Sequence, residues 1–169
     1  SNTRASFTLC NEKSLLWIDK INFGSIHWCT TLKDLHRELS NIGPEFWPIH
    51  RHAEWWKGIC TSKSAIHKVL IDQTRIAGIG NIIAIETLHR SGIHPFTSAN
   101  NLTGAQWNIL ACVIRMVVEQ SVNHHNSIRE RLTKQDVFYG NLDFVSEGHT
   151  RAEGYQIYGR ANEVCPTCR

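Results

Sequence analysis

No apolar run in the 169 residues approaches the roughly twenty needed to cross a bilayer, and no basic, apolar, small-residue leader opens the chain. A soluble, unexported protein with no membrane partner is therefore expected. No internal repeat or low-complexity tract breaks the text, which excludes solenoids and disordered linkers as the organising theme. Charge of one sign is also scarce: the formal net charge is only +3 with ten histidines, and the pI is near 8.6. That balance excludes a polycationic nucleic-acid tail, but it fits a chain that meets nucleic acid on one face, and it fits equally a mildly basic enzyme. Cys10, Cys29, Cys60 and Cys112 are scattered among apolar neighbours, where buried reduced thiols are expected rather than disulfides, so the chain reads as intracellular and cytoplasmic. What remains is ordinary globular composition, 41% apolar and 20% charged, enough to bury a core.

The first segment alternates as strands do: "SFTL", a polar break over Asn11 to Ser14, "LLWID", then "SIHWC" after Gly24. An antiparallel sheet edge of three strands is expected. Thr31 with Asp34 opens a short helix carrying Leu32, Leu35 and Leu39 on one side, closed by "IGP" at Ile42 to Pro44. The aromatic, proline-broken "EFWPIHRHAEWW" reads as a packed connector and a domain boundary. Helices follow, over Ser64 to Asp72, over Ile82 to Arg90, and from Thr103, whose pairing with Gln106 spells a capping box. The last of these sets Trp107, Leu110, Ala111, Ile114, Val117 and Val118 on one face, which is a core stripe. His124 and His125 lie beyond it in polar text; adjacent histidines diverge on any regular element, which argues against a shared metal.

The second of those helices lies within "RIAGIGNIIAIETLHRSGIHP", Arg75 to Pro95. Gly78 and Gly80 permit a tight turn that brings backbone N–H groups close to a ligand, and Asn81 occupies the place of an N-cap. Gly92 suits the C′ position, with Pro95 as a second stop. N–H groups, the positive end of a helix and an amide converge on one spot suited to a phosphate.

The tail, "YQIYGRANEVCPTCR", predicts a short strand from Tyr155 to Tyr158, a turn, and Cys165-Pro166-Thr167-Cys168. Two thiolates on one tight turn can reach the same tetrahedral ion, but a zinc ribbon takes a second pair, and only Arg169 follows. Alone, the CxxC reads as half a zinc site, as a redox pair or as incidental.

Taken together, these segments resemble the formamidopyrimidine-DNA glycosylase and endonuclease VIII family of DNA-repair enzymes. "LLWIDKINFGSIHW" resembles the late strands of the family's N-terminal β-sandwich, and "IGPEFW" the segment leaving it. "KSAIHKVLIDQTRIAGIGNIIAIETLHRSGIHP" is similar to the helix-two-turn-helix signature, and "YQIYGRANEVCPTCR" to the entry of the zinc finger. The resemblance implies an α+β fold in three parts: the end of the β-sandwich catalytic domain over residues 1–59, a helix-two-turn-helix domain over 60–150, and a zinc finger, begun as a β-hairpin and cut short, over 151–169. It implies excision of oxidised bases from double-stranded DNA, with strand cleavage at the abasic site, by a protein expected to be monomeric. It implies Asn81, Gly78, Gly80, Tyr158 and Lys63 on the DNA backbone, and Phe23 as an aromatic wedge filling the gap left by a flipped base. Cys165 and Cys168 become half of a zinc site, and Glu86 a structural glutamate.

The departures are as specific. Ile21 and Asn22 stand where the family usually has two basic residues before the wedge, and His67, with Lys68 beside it, stands where the family has a lysine. The family's catalytic N-terminal proline, the glutamate next to it and a lysine of the same domain have no counterpart in this sequence, which opens Ser1-Asn2-Thr3. A fragment, inactive by itself, is therefore expected. Two other readings stay open: a non-catalytic nucleic-acid module, since similar "GIG" turns occur in an RNA-binding ribosomal protein, and a structural domain in which "GIGN" is only a helix junction.

Overall fold

A computed structural model describes residues 3–19, 22–46, 59, 61–132 and 155–168, with backbone alone for 124–132. The chain divides into two compact units, Ser1–Ser40 and Asn41–Arg169. The division expected at 59/60 falls inside the second.

The first unit is built on a hairpin. Strands β1, Thr3–Thr8, and β2, Ser14–Ile18, pair antiparallel with Phe7 opposite Leu15 and Ser6 opposite Leu16. The polar break between them turns tightly: the Leu9 N–H donates to the Lys13 carbonyl at 2.8 Å, and Glu12 takes a φ of 62°. The third strand expected at Ser25 to Cys29 does not form; that stretch pairs with neither strand. Helix α1, Leu32–Leu39, starts as read, with the Thr31 hydroxyl accepting from the Asp34 N–H at 3.1 Å. Its Leu32, Leu35 and Leu39 all remain exposed.

The second unit is helical. Helix α2 spans Ile66–Ile71, α3 Asn81–Arg90 and α4 Gly104–Leu132, with a 3-10 turn at Ala99–Asn101. Its core joins Ile66, Val69 and Leu70 of α2, Ile76 and Ile79 of the intervening turn, Leu88 of α3, and Trp107, Leu110 and Ile114 of α4. The apolar stripe read on α4 is therefore the buried one, and the helix runs on through the polar text to Leu132. Phe46 belongs to this core as well. The Gly43 N–H donates to the Gln73 carbonyl and Phe46 N–H to that of Ala77, at 2.8 and 3.2 Å, and a Cβ on Gly43 would lie 2.7 Å from the Thr74 oxygen. Backbone pairing thus draws 43–46 to the helices; the rest of the connector lies outside the described residues.

The tail contains no strand among its described residues, so the expected Tyr155–Tyr158 strand and zinc-finger hairpin are corrected to a succession of turns, with Gly159 and Asn162 at φ of 77° and 67°. Cys10 and Cys112, expected to be buried thiols, are free and exposed. Cys10 lies in the hairpin turn and Cys112 faces away from the α4 core stripe. No helix among the described residues is long and apolar enough to cross a membrane.

Candidate nucleic-acid interface

The glycine turn is held from inside by a residue whose role the sequence did not signal. The Gln73 side chain accepts the Gly78 N–H at 2.9 Å and donates to the Ile79 carbonyl at 2.8 Å, clamping both sides of the turn. Gly78 needs its freedom, at φ +94°, whereas Gly80 is extended at φ −91° and ψ 176°. The Gly78 N–H is therefore spent within the protein, contrary to the expectation that it faces a ligand.

Gly80, not Asn81, is the N-cap of α3, and no side chain caps this helix. The first intrahelical bond runs from the Ala84 N–H to the Gly80 carbonyl at 3.0 Å, so the N–H groups of Asn81, Ile82 and Ile83 lie ahead of the ladder. Other helices close this end themselves. Helix α4 has its capping box, with the Thr103 N–H donating to Gln106 Oε1 at 2.9 Å and the Gln106 N–H to Thr103 Oγ1 at 3.3 Å. In α2, the Ile66 and His67 N–H groups donate to the carbonyls of Thr97 and Pro95 at 2.8 and 3.2 Å.

The Asn81 amide, freed from capping, turns to α2: His67 Nε2 lies 3.0 Å from Asn81 Oδ1. Gly78, Gly80 and Asn81 are exposed and His67 is half-buried, with Lys63 and Lys68 exposed just before and after it. The His67 ring thus stands beside the exposed Asn81 amide at the open end of α3. A Cβ on Gly80 would meet nothing within 4 Å, so no internal packing requires this glycine.

Tyr158 is tied to the same helix by Glu86, which is fully buried. One Glu86 oxygen accepts the N–H groups of Ile157 and Tyr158 at 2.8 and 2.9 Å; the other accepts that of Gln156 at 2.9 Å and faces Arg90 at 3.4 Å. Three successive amides aimed at one carboxylate also explain why this segment cannot be a strand. Burial pushes the Glu86 pKa up, but the three N–H bonds and Arg90 outweigh it and hold the group below its ordinary value. Tyr158 meets Tyr155 edge to face at 6.1 Å, and the Tyr155 hydroxyl lies 2.9 Å from that of Ser121.

Phe23 belongs to the first unit and is 87% exposed, so it is not a core residue of that unit. Asp19, buried and unremarked in the sequence, accepts the N–H groups of Asn22 and Gly24 at 2.7 and 2.8 Å, immediately before and after Phe23. Gly24 packs so closely that a Cβ would lie 2.7 Å from the Trp17 ring. The signal was present as an Asp five residues before a Gly in "DKINFG", an Asx-type arrangement.

At the CxxC turn, Cys165 Sγ lies 3.7 Å and Thr167 Oγ1 3.3 Å from His89 Nε2, at the other end of α3. The Cys168 N–H first, then the His89 ring and the Thr167 N–H, bring the Cys165 thiol down to about 6, while Cys165 raises Cys168. Among the described residues no group of three or more His, Cys, Asp or Glu side chains is arranged to hold a metal ion. The described donors do not by themselves fit a closed tetrahedral zinc site.

Residues 43–132, which carry the Gln73 clamp, the open α3 end and the His67–Asn81 pair, match the formamidopyrimidine-DNA glycosylase H2TH domain. The chain belongs to the formamidopyrimidine-DNA glycosylase family. Over 161 residues it is 31% identical to the formamidopyrimidine-DNA glycosylases of Salmonella newport strain SL254 and Enterobacter sp. strain 638, covering 95% of this chain and 56% of each relative. The chain thus spans just over half the length of those curated relatives. Among solved structures it is similar to the MutM (Fpg) protein of Thermus thermophilus, with a TM-score of 0.70 and 26% identity over 99% of this chain and 60% of that one. A complex of the Lactococcus lactis Fpg with abasic-site DNA shares the fold, with a TM-score of 0.65 and 24% identity over 92% of this chain and 54% of that one.

Proposed function

We propose that this chain is the DNA-gripping part of a base-excision-repair glycosylase and abasic-site lyase that removes oxidised bases from double-stranded DNA. The observation that carries the reading is the N-terminus of α3, left without a side-chain cap and exposed beside Asn81 and His67, within the stretch that matches the family. Exposed N–H groups and a helix dipole favour an anion, and a phosphate of the DNA backbone supplies one. Asn81 and Gly80 contact it, Gly78 shapes the turn, Lys63 adds charge, and Tyr158 is presented by Glu86 for a further phosphate contact. Phe23 wedges into the gap where a base has left the stack. In functional terms residues 1–59 end a catalytic β-sandwich domain, 60–150 grip DNA and 151–169 begin a zinc finger.

These residues are proposed to hold and orient DNA rather than to supply the nucleophile for the Schiff base that an abasic-site lyase forms. Zinc, where bound, would join Cys165 and Cys168 structurally and needs donors beyond the described residues. The reading is tested by titrating a labelled duplex containing a stable abasic-site analogue at several salt concentrations. Binding that weakens with salt, and weakens about tenfold in Asn81→Ala, supports it. Affinity unchanged in Asn81→Ala would leave "GIGN" as a helix junction.

A further inference from the structure

We infer that His67 is a positioning residue that orients the Asn81 amide for its phosphate. The inference rests on the phosphate reading of Asn81 and adds what controls it. An asparagine amide has one acceptor oxygen and two N–H donors, and a phosphate can use only the donors. An amide free to rotate shows its oxygen to the anion as readily as its nitrogen, and the oxygen repels. Here the side chain is not spent on capping, since Gly80 is the N-cap, and its Oδ1 faces His67 Nε2 at 3.0 Å. The backbone of α2 is itself anchored, the His67 N–H donating to the Pro95 carbonyl at 3.2 Å, so the ring approaches Asn81 from a fixed helix.

An imidazole that carries its hydrogen on Nε2 donates to Oδ1 and leaves both Nδ2 hydrogens for the ligand. The opposite tautomer would draw Nδ2 inward and present oxygen to the phosphate, so a bound phosphate selects the donating ring. In the sequence His67, with Lys68 beside it, stands only as the place of a family lysine. In the structure its Nε2 is directed to Asn81.

A double-mutant cycle on the full chain separates these roles, using a fluorescent duplex with a stable abasic-site analogue at fixed salt and pH. Asn81→Ala is expected to weaken binding about tenfold, and His67→Phe, which keeps a ring but loses the donor, about three- to tenfold. His67→Gln, which can donate from its amide, should recover most of that loss. In the Asn81→Ala background neither His67 change should weaken binding further. Thermal melts of each variant separate folding from affinity. The inference is overturned if His67→Phe leaves affinity intact, if it costs as much without Asn81 as with it, or if His67→Gln fails to rescue. If Asn81→Ala itself has no effect, the phosphate reading falls and takes this inference with it, a result distinct from the other three.

Discussion

Two glycines two residues apart carry different burdens. Gly78 sits at φ +94°, where any Cβ is strained, so Gly78→Ala is expected to cost about 1–2 kcal/mol in a denaturation midpoint whether or not DNA is present. Gly80 is extended with open space around it, and as the uncapped N-cap it would gain from a hydroxyl. Gly80→Ser should leave stability equal or raise it by a few tenths of a kcal/mol, yet weaken DNA binding, because the added side chain occupies the approach to the open N–H groups. Serine with unchanged affinity would show that nothing comes close there. Asp19→Ala tests the first unit: with two N–H groups around Phe23 losing their acceptor, the loop should lose order, read as faster amide exchange at Asn22 and Gly24. Neither Gln73 nor His67 could be assigned its partner from the letters, since each bond depends on where another element brings its acceptor or donor.

Element by element, termini were more readable than lengths. Thr31 and the Thr103/Gln106 pair open their helices as the text implies, because a cap uses residues within one turn of each other. The end of α3 was equally legible. The Ile93 N–H bonds the Leu88 carbonyl at 3.0 Å and the Gly92 N–H that of His89 at 3.1 Å, a Schellman motif with buried Leu88 and Ile93. Since Gly92 lies at φ +65° and a Cβ there would meet nothing within 4 Å, Gly92→Ala should cost about 1 kcal/mol from the backbone alone, measurable as a lower melting temperature. The tail departs from its expected strand because a buried carboxylate claims three successive amides. Glu86 also makes that docking acid-sensitive. Its folded pKa lies below the ordinary 4.5, so its stabilisation is complete above that value and is lost as pH falls through the folded pKa. Amide exchange at Gln156 to Tyr158 should accelerate in that acid range and lose this dependence in Glu86→Gln.

At the scale of the whole molecule, the prediction is binding without chemistry. On the proposed reading, incubation of this chain with abasic-site DNA and borohydride should give no covalent adduct while the duplex is still retarded, because the residues proposed to hold phosphate are not proposed to attack the sugar. A trapped adduct would show that one does. Likewise, if Cys165 and Cys168 supply half of a tetrahedral zinc sphere, as proposed, they should release zinc readily to a chelator; stoichiometric zinc surviving chelation would reveal further donors.

What the sequence by itself determined is local: the hairpin turn, the caps, the Gly92 stop, the apolar stripe of α4 and the glycine pair before α3. Each depends on backbone freedom or on hydrogen bonds within a few residues, so neighbouring letters suffice. Tertiary structure alone decided the rest. It drew 43–46 to the helical core, moved the cap of α3 to Gly80 so that the Asn81 amide could meet His67 fourteen residues away, and gathered the amides of 156–158 on Glu86, about seventy residues earlier in the chain. Those are satisfactions of buried or directed polar groups by distant partners, and a sequence carries no distance between residues until a core brings them together.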